Sequence, residues 1–141
     1  MDNITFAIIK PDAVQNGDTG KIYDRILTAG FNIMGAKLIK LTKQQAEGFY
    51  DIHKERPFFG ELTEFMSSGQ SMVLALNKEN AVKSWRETIG STNPEEAESG
   101  TIRKDFATNI QNNAVHGSDS DENAKKEIAF FFTNSELIAN K

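Results

Sequence analysis

The 141-residue chain contains no cysteine. That excludes disulfides, thiolate metal centres, zinc fingers and cysteine nucleophiles, and it suits a reducing intracellular setting. Histidine is nearly as scarce, with only His53 and His116, too few for a metal site built on imidazole. Long apolar runs are missing too. Phe6-Ala7-Ile8-Ile9 stops at Lys10, and nothing approaches the roughly 20 apolar residues of a bilayer span, so no membrane partner is expected. Asp2 stands where a secretory signal would carry basic residues, and the expected location is the cytoplasm. Cations are outnumbered: Lys and Arg total 16 against 20 Asp and Glu, a net charge of −4. Non-specific nucleic-acid affinity comes mainly from cations that neutralise phosphates, so no stable nucleic-acid partner is expected. A few cations converging in a pocket would still suit a small phosphorylated ligand.

Hydrophobic residues make up 38% of the chain and charged residues 26%, the balance of a folded soluble protein rather than a disordered one. The length suits one domain, residues 1–141, large enough to bury a core without staples. Residues 3–9 read as a buried strand stopped by Pro11, which leaves Lys10 at its C-terminal edge. Ile22, Ile26 and Leu27 recur at helical spacing over residues 19–29, with Gly30 as the stop. Residues 31–41 alternate as a second strand. Thr42 and Gln45 have capping-box spacing and predict a helix reaching about Lys54. A short helix is expected over 61–67, a third strand over 70–76, and a helix over 78–88 with Ala81, Val82 and Trp85 on one face. Residues 90–101 are loop by composition, 102–108 are ambiguous, and 109–121 read as irregular. The run 128–132, IAFFF, predicts the last strand. This order fits an α+β sandwich with helices on one face of an antiparallel sheet.

Two apparent motifs fail on spacing. Gly17-Asp18-Thr19-Gly20-Lys21-Ile22 has two residues between its glycines and Ile22 after the lysine, whereas a P-loop needs four and a Ser or Thr. It reads as a loop and helix start. Asp119 to Phe130 opens like a calcium-binding EF-hand, but Ala124 and Phe130 occupy the positions that need Gly and Glu. The acidic cluster there suits a helix N-terminus instead. No G-x-G-x-x-G or G-x-S-x-G occurs, so neither a Rossmann site nor a nucleophile elbow is supported.

The stretch NNAVHGSDSDE, residues 112–122, holds His116. An imidazole there could be a surface group, a general base or a metal ligand. It could also be a nucleophile, which histidine can be when a second group fixes its tautomer and orientation. The pattern Asn113-x-x-His116-Gly117-Ser118-Asp119 resembles the active-site signature of nucleoside diphosphate kinases. Ile9-Lys10-Pro11-Asp12, Arg56-Pro57-Phe58-Phe59, Thr92-Asn93-Pro94 and Gly100-Thr101-Ile102-Arg103-x-Asp105-Phe106 resemble that family's other motifs in order and spacing. The resemblance covers residues 3–138.

That resemblance implies a ferredoxin-like βαββαβ fold and a ping-pong phosphotransfer. A nucleoside triphosphate, mainly ATP, would give its γ-phosphate to His116, and a nucleoside diphosphate would collect it. It also implies that Glu127 holds the other ring nitrogen of His116, with Ser118 beside it. Lys10, Arg86 and Arg103 would bind phosphates, Thr92 would donate a hydroxyl, and Tyr50 would sit near the catalytic end. Phe58 would be the platform for the base and Phe59 a packing residue, with Leu62 and Ile110 as further base contacts. Asn113 would bind the sugar. A stacking platform tolerates any base, so broad base specificity is expected. Mg²⁺ would ride mainly on the nucleotide phosphates, as that ion prefers, with Asp119 reaching it through water. Ala13 stands where many members have Gly, a change expected to be tolerated. Short chains of this kind resemble bacterial members, and a homo-oligomer built from dimers, tetrameric or hexameric, is expected. An RNA-binding module on the same kind of sheet is disfavoured by the charge and by the lack of its aromatic signature. A catalytically dead scaffold is disfavoured by the retained His116, Lys10, Arg103 and Glu127.

Overall fold

The computed structural model describes residues 3–139. Its centre is a four-stranded antiparallel sheet in the order β2-β3-β1-β4. The strands are β1 (Ile4–Ile9), β2 (Asn32–Lys40), β3 (Gln70–Asn77) and β4 (Val115–Gly117). The helices are α1 (Pro11–Gln15), α2 (Thr19–Thr28), α3 (Lys43–Phe49), α4 (Phe59–Met66), α5 (Ala81–Ile89), α6 (Ile102–Phe106), α7 (Asp121–Phe131) and α8 (Asn134–Ala139). The strand order is that of a ferredoxin-like α+β fold.

The sheet is covered on both faces, not on one as the sequence suggested. Central β1 shows why: every residue from Thr5 to Ile9 is buried, and successive side chains alternate between faces. Ala7 and Ile9 join a core with Ile22, Ile26, Trp85, Ile89 and Val115. Phe6 and Ile8 join a second core with Ala46, Tyr50, Met66 and Ile128. Full burial of a large apolar side chain such as Phe6, Ile8 or Ile9 contributes on the order of 1.5–3 kcal/mol, so β1 is strongly anchored, and β4 pairs directly with it.

Several local rules hold. Thr42 and Gln45 form both bonds of the capping box. The chain leaves α2 through a Schellman turn: Gly30 N–H donates to Leu27 O, Phe31 N–H donates to Ile26 O, and Gly30 has φ +93°. The helix expected to reach Lys54 ends at Phe49, and Asp51–His53 form a single 3₁₀ turn. Pro11 does more than stop β1. It is the first residue of α1, where a fixed φ and a missing N–H cost nothing. The ambiguous segment contains α6, capped by Thr101.

The IAFFF strand is a correction. Residues 128–131 complete α7, and the last strand is the short β4 inside the segment expected to be irregular. A five-residue apolar run cannot distinguish a strand from a buried helix by pattern alone. The residues before it decide. Ser120 accepts from Asn123 N–H, and Asp121 and Glu122 fill the first turn, where carboxylates complement the helix dipole. Ala124, Glu127, Ile128 and Phe131 then fall on one helical face.

Candidate active site

Opposite Ile8 in the β1–β4 register stands His116. Directly paired residues share a face, so the imidazole lies on the side of the sheet covered by α3 and α7. There it meets the rings of Phe6, Phe49 and Tyr50 at centroid distances of 6.0, 5.7 and 6.5 Å, all edge-on. Its backbone carbonyl accepts from the Trp85 indole N–H at 3.1 Å on the opposite side. Gly117 permits that approach, because a Cβ there would lie 2.8 Å from Trp85 Cδ1. The ring is therefore bounded by aromatics and its backbone is bolted to α5.

His116 Nε2 lies 2.9 Å from Glu127 Oε1, and the buried Ser118 Oγ donates to the same oxygen at 2.7 Å. Ser118 Oγ also accepts from Phe6 N–H at 3.3 Å and lies 3.4 Å from Phe6 O, so Glu127 Oε1 is the nearer of its two acceptors. An ionised carboxylate only accepts, so this arrangement puts the imidazole proton on Nε2 and leaves the Nδ1 lone pair free. His116 and Glu127 side chains are 19% and 18% exposed: reachable, but held. They line a cavity of about 80 Å³ with Phe49, Tyr50, Ile52, His53, Gly117, Asp119 and Asn123. Within it Tyr50 is buried and its hydroxyl has no partner. Burial, and then the charge of Glu127, push the phenol far up, so it stays a neutral donor.

A second group gathers around Lys10. Its Nζ donates to Asn113 Oδ1 at 2.8 Å, and Asn113 Nδ2 donates to Thr92 O at 3.3 Å. Lys10, Asn113 and Arg103 are all buried. Arg103 donates from Nη1 to Gly90 O at 3.0 Å and from Nη2 to Val115 O at 2.9 Å, next to His116, while its buried Nε has no partner. Burial, then the nearby Arg103, lower the Lys10 ammonium to about 8, with Asp12 opposing. Burial and then Arg86 lower Arg103 to about 10. Cations that disfavour one another in a partly dry site are poised for an anion. Arg86, Thr92 and Arg103 line one open cleft of about 580 Å³. A neighbouring cleft of about 590 Å³ is lined by both Arg86 and Asp119, and Asp119 also lines the His116 cavity.

The remaining sequence-derived residues are more dispersed. Phe58 is 47% exposed, with its ring 5.5 Å from that of His53, a wall of the His116 cavity. Its neighbour Phe59 packs on the second core, and so does Leu62. Ile110 is 58% exposed in a separate hollow shared with Asn93. Ala13 is fully buried in the first core. Sequence reasoning overlooked Trp85 as a support of His116, Phe6 and Phe49 as its walls, and Asp12. The only signal for Trp85 was its being the single tryptophan.

Among the described residues no set of three or more His, Asp or Glu lies close enough to hold a metal ion. Mg²⁺ takes few protein ligands where phosphate oxygens are available, and one or two carboxylates suffice for it. Asp119 is, with Glu127, one of two carboxylates on the cavity wall, its Oδ1 accepting from Asn123 Nδ2 at 2.6 Å.

A ferredoxin-like domain that holds an oriented imidazole beside converging cations has the chemistry to bind and transfer an anionic group. The nucleoside diphosphate kinase family model matches residues 3–137. The nucleoside diphosphate kinases of Geotalea uraniireducens and Geobacter sulfurreducens are 60% and 57% identical over 134 residues, covering 95% of this chain and 98% of each relative. The crystal structure of the Aquifex aeolicus nucleoside diphosphate kinase superposes with a TM-score of 0.93 at 46% identity, covering 95% of this chain and 97% of that one. The structure of a halophilic nucleoside diphosphate kinase from Halobacterium salinarum, in complex with CDP, superposes with a TM-score of 0.90 at 34% identity, covering 96% of this chain and 91% of that one. The chain belongs to the nucleoside diphosphate kinase family.

Proposed function

We propose that the chain, as a single catalytic domain, transfers the γ-phosphate of a nucleoside triphosphate, mainly ATP, to a nucleoside diphosphate by a ping-pong mechanism through a phosphohistidine on His116. The observation that carries this reading is the Nε2 contact of His116 with Glu127, which leaves Nδ1 as the free nucleophile. In the first half-reaction the Nδ1 lone pair attacks the γ-phosphorus, an N–P bond forms, and the bond to the bridging oxygen breaks to release the diphosphate. No proton need leave first, because the attacking nitrogen carries none. The ring gains positive charge, which Glu127 stabilises through Nε2–H. In the second half-reaction a terminal phosphate oxygen of another diphosphate attacks, and the N–P bond breaks.

Phosphoryl transfer is mostly positioning and charge stabilisation, and the residues divide that work. Lys10, Arg86 and Arg103 hold the phosphates, arginine's fork matching their oxygens. Thr92 donates a hydroxyl and Asn113 binds the sugar. The partnerless Tyr50 hydroxyl donates near the reacting phosphate, and Ser118 supports Glu127. Phe58 stacks on the base through its exposed face and reads no base edge, so specificity is broad; Leu62 and Ile110 are further candidate base contacts. Asp119 would help hold Mg²⁺ through water, and the ion when bound would supply charge neutralisation at the phosphates. The CDP in the Halobacterium salinarum relative supports nucleotides as the ligand class. Among the described residues no helix is long and apolar enough to cross a membrane. We place the enzyme in the cytoplasm as a dimer-based homo-oligomer.

The test is to mix the protein with Mg²⁺ and γ-labelled ATP, isolate it, and add unlabelled GDP. The expected result is an acid-labile label that GDP removes as GTP, and none on a His116→Ala variant. A wild type that takes no label and makes no GTP would overturn the reading.

A further inference from the structure

Between Asn113 and His116 the backbone takes a costly path. Ala114 has φ +72° and is fully buried. Val115 N–H donates to Asn113 O at 2.8 Å, closing a three-residue γ-turn of the rare, strained hand. Glycine reaches positive φ freely, whereas an alanine stays there only when its surroundings over-determine it. Both backbone groups of Ala114 are tied to one segment. Its N–H donates to Asp12 Oδ2 at 3.1 Å, and its carbonyl accepts from Lys10 N–H at 2.9 Å. The Lys10 side chain reaches across to Asn113 Oδ1, so three bonds lace residues 10–12 to residues 113–114.

We infer that Asp12 is a positioning residue of this site: its carboxylate clamps the γ-turn at Ala114 and so fixes Asn113 and His116 relative to Lys10. The other two bonds cannot replace it. The Lys10 N–H bond is a strand-end contact that a relaxed turn could keep, and the Lys10 Nζ bond ends on a side chain. Only Asp12 satisfies the buried N–H of the strained residue itself. One residue further along, β4 begins and carries the imidazole, so a turn that relaxed to negative φ would re-aim the strand that presents it. Asp12 is well suited to the task. It is the second residue of α1, next to Pro11 and the buried Ala13, so its backbone cannot wander. Its charge also faces Lys10 and, against burial and Arg103, favours the ammonium.

The kinetic part of this inference rests on the proposed function; the structural part does not. Hydrogen exchange of the Ala114 amide and GDP phosphorylation by ATP, from pH 6 to 10, would be compared in wild type, Asp12→Ala, Asp12→Asn and Asp12→Ala/Ala114→Gly. In Asp12→Ala the amide should exchange at least roughly tenfold faster. Its kcat should fall roughly 10- to 100-fold, as a misplacement of about 1 Å can cost. The Ala114→Gly change should restore part of that rate, because glycine holds the turn without strain. Asp12→Asn keeps an acceptor for the amide and should retain protection, but with its charge gone the basic limb of kcat/KM should move to lower pH. Wild-type exchange and rate in Asp12→Ala would overturn the clamp, as would a slow Asp12→Ala with amide 114 still protected. Should Asp12→Ala not fold, Asp12→Glu decides. It keeps the charge but displaces the oxygen, and wild-type exchange and kcat there would overturn the clamp equally. Failure of the wild type to make GTP would instead sink the proposed function and leave the exchange result standing.

Discussion

Replacing Glu127 isolates the group on which the proposed chemistry turns. Its Oε1 accepts from His116 Nε2 at 2.9 Å and from Ser118 Oγ at 2.7 Å. Only what strengthens between ground state and transition state affects the rate, and that is the histidine bond, because the ring gains positive charge as Nδ1 takes the phosphate. A hydrogen bond with a charged partner is worth about 1.5–3 kcal/mol. At about 1.36 kcal/mol per decade, Glu127→Ala should slow labelling of His116 by ATP roughly 10- to 150-fold. The side chain sits partly exposed on the face of α7, so folding should survive, which a melting curve would check. Glu127→Gln should lose less. His116 Nε2–H and the Ser118 hydroxyl both donate towards this position, so the carbonyl oxygen of a glutamine, not its amide, would face them. The assay is rapid-quench labelling with saturating γ-labelled ATP, which separates the chemical step from product release. Labelling of Glu127→Ala at the wild-type rate would refute the orientation argument, and so would a change confined to the nucleotide KM.

Lys10 should set a basic limb. Its ammonium, lowered to about 8, must stay protonated to hold phosphate, so kcat/KM of the free enzyme should fall as pH rises through about 8, and a limb still absent at pH 10 would contradict this. The linkage has the opposite sign: between about 8 and 10.5 the unfolded chain holds this proton more tightly than the folded one, so this residue's contribution to stability rises with pH there. Gly117→Ala would place a Cβ 2.8 Å from Trp85 Cδ1 and 3.0 Å from its Nε1. Urea denaturation should show a loss of about 1–3 kcal/mol from overpacking, with reduced labelling of His116, and unchanged stability would show that Trp85 is not wedged there. Phe58→Ala should raise the KM of ATP, GTP and CTP alike, consistent with roughly 1–3 kcal/mol of stacking per base, and leave kcat nearly unchanged. A KM that rises for one base only would argue for base-edge recognition.

The legible parts of the fold were those with chemistry in a few adjacent residues. Thr42 and Gln45 fixed the start of α3 because a capping box satisfies two orphan amides within four residues. Gly30 fixed the end of α2 because only a positive φ closes the Schellman turn. What pattern alone could not decide was any element whose state depends on remote partners. The three-residue β4 has no period of its own and exists because β1 offers Ala7, Ile8 and Ile9 as pairing partners. Residues 128–131 are helical because Ser120 to Glu122 start a helix that runs into them, although their composition favours a strand. The second covered face follows from the continuous burial of β1, which alternation cannot reveal when both faces are apolar.

The site shows the same division between what is local and what is assembled. His116, Ser118 and Asp119 were visible as neighbours in a motif, and family resemblance supplied Lys10, Arg103 and Glu127 from a distance. What no residue type announces is how the imidazole is aimed. His116, the proposed nucleophile, sits on the shortest strand of the sheet, at its edge, where pairing to β1 alone would leave it free to twist. It is aimed by groups from four other elements. Glu127 of α7 grips Nε2, Trp85 of α5 grips the carbonyl, Phe49 of α3 closes one side of the ring, and Asp12 of α1 holds the turn just before it. Each contact spans many residues of sequence and so leaves no short-range signal. The proposed attack on phosphorus requires the histidine lone pair to be held within a narrow cone, and on so short a strand that direction has to be imposed from outside. The precision of the site is therefore a tertiary property, although its chemistry is readable from the sequence.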